Sequence, residues 1–167
     1  MTKTRVGVIA LHNSPNYGSC LQAYATQKVF EGIGAETSII DYYRHDAIPE
    51  NETERALNGQ LAKRIPIFKI PGVKSLARIP VSRMVARRSA PLNEFRRAKL
   101  NLTSKKYYSA ADLESDPPEA DVYCTGSDAS FGTAFGMEDS RGRFYLSFAS
   151  GDTKKIAYAA SIWEIFT

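Results

Sequence analysis

An open, mostly parallel α/β sheet with helices on both faces is the fold class predicted for this chain of 167 residues. Three observations lead there. A short apolar run, Val6, Val8, Ile9, Ala10 and Leu11, is stopped by the turn formers Asn13, Pro15, Asn16 and Gly18. A helical pattern follows it, and a second apolar run through Ile39 and Ile40 comes after a tight glycine turn, giving a β-α-β unit that should cross over right-handedly. Further runs at residues 120–125 and 154–161 are separated from these by helical and turn-rich stretches.

The first strand is expected near residues 5–11, and the first helix near residues 20–31 with Leu21, Tyr24, Ala25, Lys28 and Val29 as its apolar stripe. Ser19 and Gln22 have the spacing of a capping box, and Gly32 and Gly34 end the helix. Residues 36–43 read as the second strand, and residues 46–58 as a turn-rich acidic tract. A basic helical insertion then spans about residues 55–106, expected as two or three short helices broken by Pro66, Pro71 and Pro80. Residues 92–100 form a helix and 110–114 a short turn. The third strand lies at 120–125 and the last at 154–161, while residues 144–148 suit either helix or strand. The whole is read as a single domain over residues 1–167, large enough to bury a core without disulfides.

Charge is unevenly placed. The net value is +4, yet residues 61–106 carry thirteen Lys and Arg against Glu94 alone, so this segment stands at +12 and the remainder at −8. Such a block suits a nucleic acid, an anionic membrane surface or a solvated insertion. Nucleic acid is not expected, because the only aromatics in the block are Phe68 and Phe95 and they form no stacking platform. Cys20 and Cys124 are too few for a disulfide scaffold and point to a reducing, cytoplasmic setting, with the inner face of the membrane as a site for peripheral contact. No stretch is long and apolar enough for a signal peptide or a membrane span.

In a parallel sheet every strand-to-helix loop opens on one edge, so residues 12–19, 126–128 and Ser161 should converge on one crevice. Candidate binding residues there are His12, Asn13, Asn16, Tyr17, Gly18, Gln22, Gly126, Ser127, Asp128 and Ser161. His12 is placed to donate to a ligand oxygen or act as an acid, and Asp128 to serve as a polar group or helix cap at a strand end, so these two are the catalytic candidates. Gly18 permits either a close backbone approach or a positive φ. With only His12 and His45 in the chain and no Cys-x-x-Cys, no metal site is read from the sequence.

Several motifs in order also carry a family resemblance. Val6-Gly7-Val8-Ile9, His12-Asn13-Ser14-Pro15-Asn16-Tyr17-Gly18-Ser19, Leu21-Gln22-Ala23-Tyr24-Ala25, Ile40-Asp41-Tyr42, Leu100-Asn101-Leu102-Thr103, Gly126-Ser127-Asp128 and Lys155-Ile156-Ala157-Tyr158-Ala159-Ala160-Ser161 resemble the polysaccharide pyruvyl transferase family. The resemblance implies a Rossmann-like domain similar to one lobe of a two-lobed, GT-B-type glycosyltransferase. It implies transfer of a pyruvyl group from phosphoenolpyruvate, an anionic donor substrate needing no further cofactor, to sugar hydroxyls of a cell-surface polysaccharide. After Gly-Ser-Asp the family continues Gln-Val-Trp where this chain has Ala129-Ser130-Phe131. Family members also continue past the point corresponding to Thr167, so the chain is expected to be an amino-terminal lobe with the carboxyl-terminal lobe absent, not self-sufficient and prone to self-association. The alternatives are a glycosyltransferase-like lobe using a nucleotide sugar and a non-catalytic truncated remnant or interaction module.

Overall fold

The computed structural model describes residues 2–43, 48–70, 72–126 and 141–161. Among these residues five parallel strands form one sheet in the order β3-β2-β1-β4-β5, from β1 (Arg5–Ile9), β2 (Glu36–Tyr42), β3 (Leu102–Tyr107), β4 (Val122–Thr125) and β5 (Lys154–Ala157). The order reverses direction between β1 and β4, and the crevice of an open α/β sheet lies outside the carboxyl ends of the strands at such a reversal. Ile9 pairs with Thr125 in register, so the loops leaving β1 and β4 start side by side.

Each face of the sheet has its own core. On one face Val6, Val8, Ala10, Ile39 and Cys124 pack with Ala23 and Phe30 of α1 (Tyr17–Gly32) and with Leu100. On the other, Ile9, Ile40, Tyr42, Tyr107 and Tyr123 pack with Leu113 of α5 (Ala110–Ser115) and with Phe144, Leu146 and Phe148 around α6 (Arg141–Phe144). Alternate strand residues supply alternate faces, as the pleat requires. The acidic tract forms α2 (Pro49–Asn58), and after it come α3 (Gln60–Arg64), a 3-10 turn over Pro66–Lys69 and α4 (Val73–Lys99). Among the described residues no helix is long and apolar enough to cross a membrane.

Four expectations are corrected. First, α1 starts at Tyr17, and its cap is Asn16, whose side chain accepts from the Gly18 amide at 2.8 Å; Ser19 lies inside the first turn and no capping box with Gln22 forms. Second, α1 buries Cys20, Ala23, Thr26, Gln27 and Phe30, while the expected stripe residues Leu21 and Val29 are exposed. Gln27 is tolerated inside because both ends of its amide are bonded, Nε2 donating to the Lys99 carbonyl and Oε1 accepting from the Asn101 amide. Third, short pieces occur only as far as the 3-10 turn that begins at Pro66, and Pro80 breaks nothing: with Pro91 it lies inside one helix of 27 residues. The carbonyls they strand belong to the exposed residues Leu76 and Arg87, where water can reach them. Fourth, the helical stretch ends at Lys99, and Leu102–Tyr107 is an edge strand that the sequence pattern concealed.

The helix end is conventional in its physics. Gly34 at φ 89° donates to Glu31 and the Ala35 amide to Phe30, closing a Schellman motif, and left-handed backbone there favours glycine. Gly126 is required for a different reason. A Cβ on it would meet Thr26 Cγ2 at 3.0 Å and Val8 Cγ1 at 3.2 Å, both in the packed layer between β1, β4 and α1. Gly126→Ala should therefore destabilise the protein by about 1–3 kcal/mol, read as a lower midpoint in urea unfolding at unchanged slope; an unchanged midpoint would refute the close packing.

Candidate functional site

The chain leaves β1 straight into a buried bracket. His12 is fully buried and Asn13 nearly so, because both turn toward the end of β2 and away from solvent. His12 Nε2 lies 3.2 Å from Asp41 Oδ1 and His12 Nδ1 lies 3.2 Å from the Ala10 carbonyl. Asn13 Nδ2 donates to Asp41 Oδ1 at 3.1 Å and to the Tyr42 carbonyl at 3.0 Å. Ala10 offers only an acceptor, and so does an ionised Asp41, so both histidine bonds form together when each ring nitrogen carries a proton. Burial pushes the Asp41 carboxyl up, but bonds from His12 and Asn13, with the charges of His12 and Lys106, outweigh it and hold the group below its ordinary value.

Arg96 closes the bracket from α4. Its Nε donates to the His12 carbonyl at 2.6 Å and its Nη2 to the Ser14 carbonyl at 2.7 Å, while Nη1 reaches Asn93. These are charge-assisted bonds to backbone that has no strand partner, so they define the path of the loop. Burial raises the Cys20 thiol, with the charge of Arg96 and a bond to it pulling the other way, so this cysteine is held as a thiol and not as a nucleophile.

The loop then turns outward. Asn16, Tyr17 and Gly18 are exposed, with Tyr17 at 62 %. Gly18 has no positive φ; a Cβ there would crowd Asn16 Oδ1 at 3.2 Å, so its role is the close approach of the cap. Between this rim and α4 lies a cavity of about 320 Å³ lined by Pro15, Asn16, Tyr17, Arg88, Ser89 and Leu92. Ser89 Oγ is buried without a hydrogen-bond partner among the described residues, a state that costs free energy unless a water or ligand satisfies it. A larger hollow of about 690 Å³, bordered by Arg5, Glu36, Asp121 and Lys154, lies at the amino ends of the strands. We place the site at the carboxyl edge nonetheless, since that is where parallel strands deliver their loops.

The edge continues across the sheet. Gln22 Nε2 donates to the Ala159 carbonyl at 3.1 Å, tying the first turns of α1 to the loop after β5. Ala159 adopts φ 52°, a left-handed conformation that costs a non-glycine residue roughly 1–2 kcal/mol. Tyr158 donates to the Thr125 carbonyl, and Ser161 follows, exposed. The loops after β1, β4 and β5 thus share one border. Of the sequence candidates, Asn16, Tyr17 and Gly18 form the rim, His12 and Asn13 form the bracket beneath it, and Gln22, Gly126 and Ser161 lie along the same edge. Ser127, Asp128 and the Ala129-Ser130-Phe131 departure fall outside the described residues. Sequence reasoning overlooked Asp41, Arg88, Ser89 and Arg96 as site residues. Asp41 had a signal, a carboxylate closing a buried strand, whereas Arg96 was one of thirteen basic residues with nothing to distinguish it.

Asp41→Asn should lower stability at neutral pH by about 2 kcal/mol through loss of the charged partner of His12. Because the folded Asp41 pKa is depressed, its contribution is complete above the unfolded value of about 3.9 and is lost as pH falls through the folded value. Urea unfolding across the acid range should show a steeper loss for the wild type than for Asp41→Asn below about pH 4; parallel curves would contradict the pairing. Arg96→Met should free the loop, seen as faster amide exchange at residues 12–16 with exchange in β4 unchanged; slow exchange at 12–16 would show that the clamp does not hold it.

No curated protein and no solved structure matches the chain. The sequence model of the polysaccharide pyruvyl transferase family matches residues 16–166, from the cap of α1 past the loop after β5, and the chain therefore belongs to that family.

Proposed function

We propose that this protein takes part in pyruvyl transfer from phosphoenolpyruvate to sugar hydroxyls of a cell-surface polysaccharide, working at the cytoplasmic side. Family membership over residues 16–166 is the observation that carries the reading. The chemistry needs a proton on the methylene carbon of the donor, which makes the neighbouring carbon electrophilic. One sugar hydroxyl adds there, a second displaces phosphate, and the two protons they lose balance the one taken up and the one leaving with phosphate. What remains is a cyclic ketal bearing the donor carboxylate.

The cavity between the β1 loop and α4 supports this reading. Arg88 supplies a cation without an ion-pair partner among the described residues, Ser89 a hydroxyl, and the amides at the start of α1 a positive field. Those are the groups that a phosphate or carboxylate requires. Tyr17 offers an aromatic face and Asn16 an amide nitrogen with no partner among the described residues on the same rim, the kind of surface on which a saccharide packs. In this reading His12 and Asp41 act through the loop they brace, being buried beneath it.

Thermal-shift titration tests the proposal. Phosphoenolpyruvate should raise the melting temperature in a saturable way, and Arg88→Gln should weaken its apparent affinity about tenfold. A shift with a nucleotide sugar and none with phosphoenolpyruvate would replace the reading with glycosyl transfer. No shift with phosphoenolpyruvate, a nucleotide sugar or an acceptor oligosaccharide would favour a non-catalytic interaction module.

A further inference from the structure

The outward side of α4 is patterned against expectation. Leu76, Ile79, Pro80, Arg83, Met84 and Arg87 recur at the spacing of one helical face, and all six are exposed, Leu76 at 82 %, Ile79 at 63 % and Met84 at 60 %. Val85, half a turn away from Leu76 in angle, marks the opposite face, where Leu92 and Arg96 are also buried. A surface helix ordinarily turns its apolar stripe to the core, and this one carries a second, apolar and cationic, toward solvent. The 3-10 turn before α4 packs on it, and Ile65, Ile67 and Ile70, in and beside that turn, are each exposed by 44 % or more.

Charge on the two sides is handled differently. Residues 61–90 contain eight Lys and Arg and no Asp or Glu. On the flank facing α2, Arg78 pairs with Glu54 at 3.1 Å and Lys74 bonds Asn58 at 2.7 Å. On the outward face Arg83 and Arg87 form no ion pair among the described residues.

We propose that the outward face of α4, with the isoleucine-bearing turn before it, docks the protein on an anionic lipid surface. Aliphatic side chains enter the boundary between headgroups and acyl chains while arginines between them meet lipid phosphates, the arrangement of a helix lying in the plane of an interface. A second copy of the chain fits the same face poorly. A two-fold contact through this face would gather Arg83 and Arg87 of both copies into one interface, and residues 61–90 supply no acid to neutralise them. Nucleic acid fits poorly too, since the aromatics of this segment are half-buried and Phe95 is spent on an edge contact with Tyr24 at 5.7 Å.

Co-sedimentation of the full chain with vesicles provides the test. Vesicles of phosphatidylcholine mixed with phosphatidylglycerol should bind the protein, vesicles of phosphatidylcholine alone should bind it weakly, and added salt should release it. Arg83→Gln with Arg87→Gln should lower the partition coefficient roughly thirtyfold, and Leu76→Gln with Ile79→Gln should lower it by at least about tenfold. Both variants should keep the wild-type melting temperature, since all four side chains face away from the core. Absence of binding to the anionic vesicles, or binding that neither variant weakens, would overturn the proposal. So would concentration-dependent self-association that Leu76→Gln with Ile79→Gln abolishes in the absence of lipid, or single-stranded RNA binding that this apolar variant leaves intact while vesicles are ignored. The phosphoenolpyruvate titration is unaffected by any of these results, so the two readings fail separately.

Discussion

One buried carboxylate organises the carboxyl edge of this sheet. Asp41 sits at the end of β2, 2 % exposed, and gathers His12 and Asn13 from the adjacent loop. A charge buried this deeply is tolerated only with partners in place, and removing either side leaves the other uncompensated. Pairing therefore acts as a constraint on the backbone as much as an attraction: the chain leaving β1 must turn toward β2 before it turns out to form the cap of α1. Arg96 imposes the same path from above by binding the carbonyls of His12 and Ser14. The loop is thus held at its side chains and its backbone by two different elements, which is how a loop becomes rigid enough to present a rim.

Legibility from sequence followed the physics of each feature. The β1-α1-β2 unit was readable because its strands are apolar runs bounded by turn formers, and burial on both faces forces such runs. The strand Leu102–Tyr107 was not readable, because it is an edge strand whose residues 104–106 are exposed and polar, so neither alternation nor a run is demanded of it. The wrong face of α1 was chosen for an equally specific reason. Hydrophobicity favoured Leu21 and Val29, yet the sheet takes the face bearing Thr26 and Gln27, since Gln27 carries the hydrogen bonds that tie α1 to the turn before β3. Periodicity cannot see a polar residue whose partners lie about seventy positions away. The rim residues Asn16 and Tyr17 were legible as a loop after a buried strand. Arg96 and Arg88 were not, because one is clamped to the loop and the other borders the cavity only through the course of a helix whose length the prolines disguised.

The length of α4 itself follows from what it has to reach. At 1.5 Å per residue, 27 residues extend roughly 40 Å, more than twice the span of a five-residue strand. Its last turns lie against α1 and the loop after β1, with Phe95 on Tyr24 and Arg96 on the His12 and Ser14 carbonyls, but the earlier turns run on past them, and there only Val85 is buried. The projecting half is supported by α2, through contacts that include Arg78 with Glu54. That support satisfies one flank, and among the described residues nothing covers the opposite one, so an apolar stripe there has no reason within the described fold. A helix stabilised only by propensity would do better with Glu and Lys at positions 76, 79 and 84. Their replacement by Leu, Ile and Met is a local conflict with solubility, and such conflicts concentrate where a surface has a partner. One helix accordingly meets three environments: backbone carbonyls of the site loop at Arg96, the cavity at Arg88 and Ser89, and an uncovered apolar face at Leu76 and Ile79.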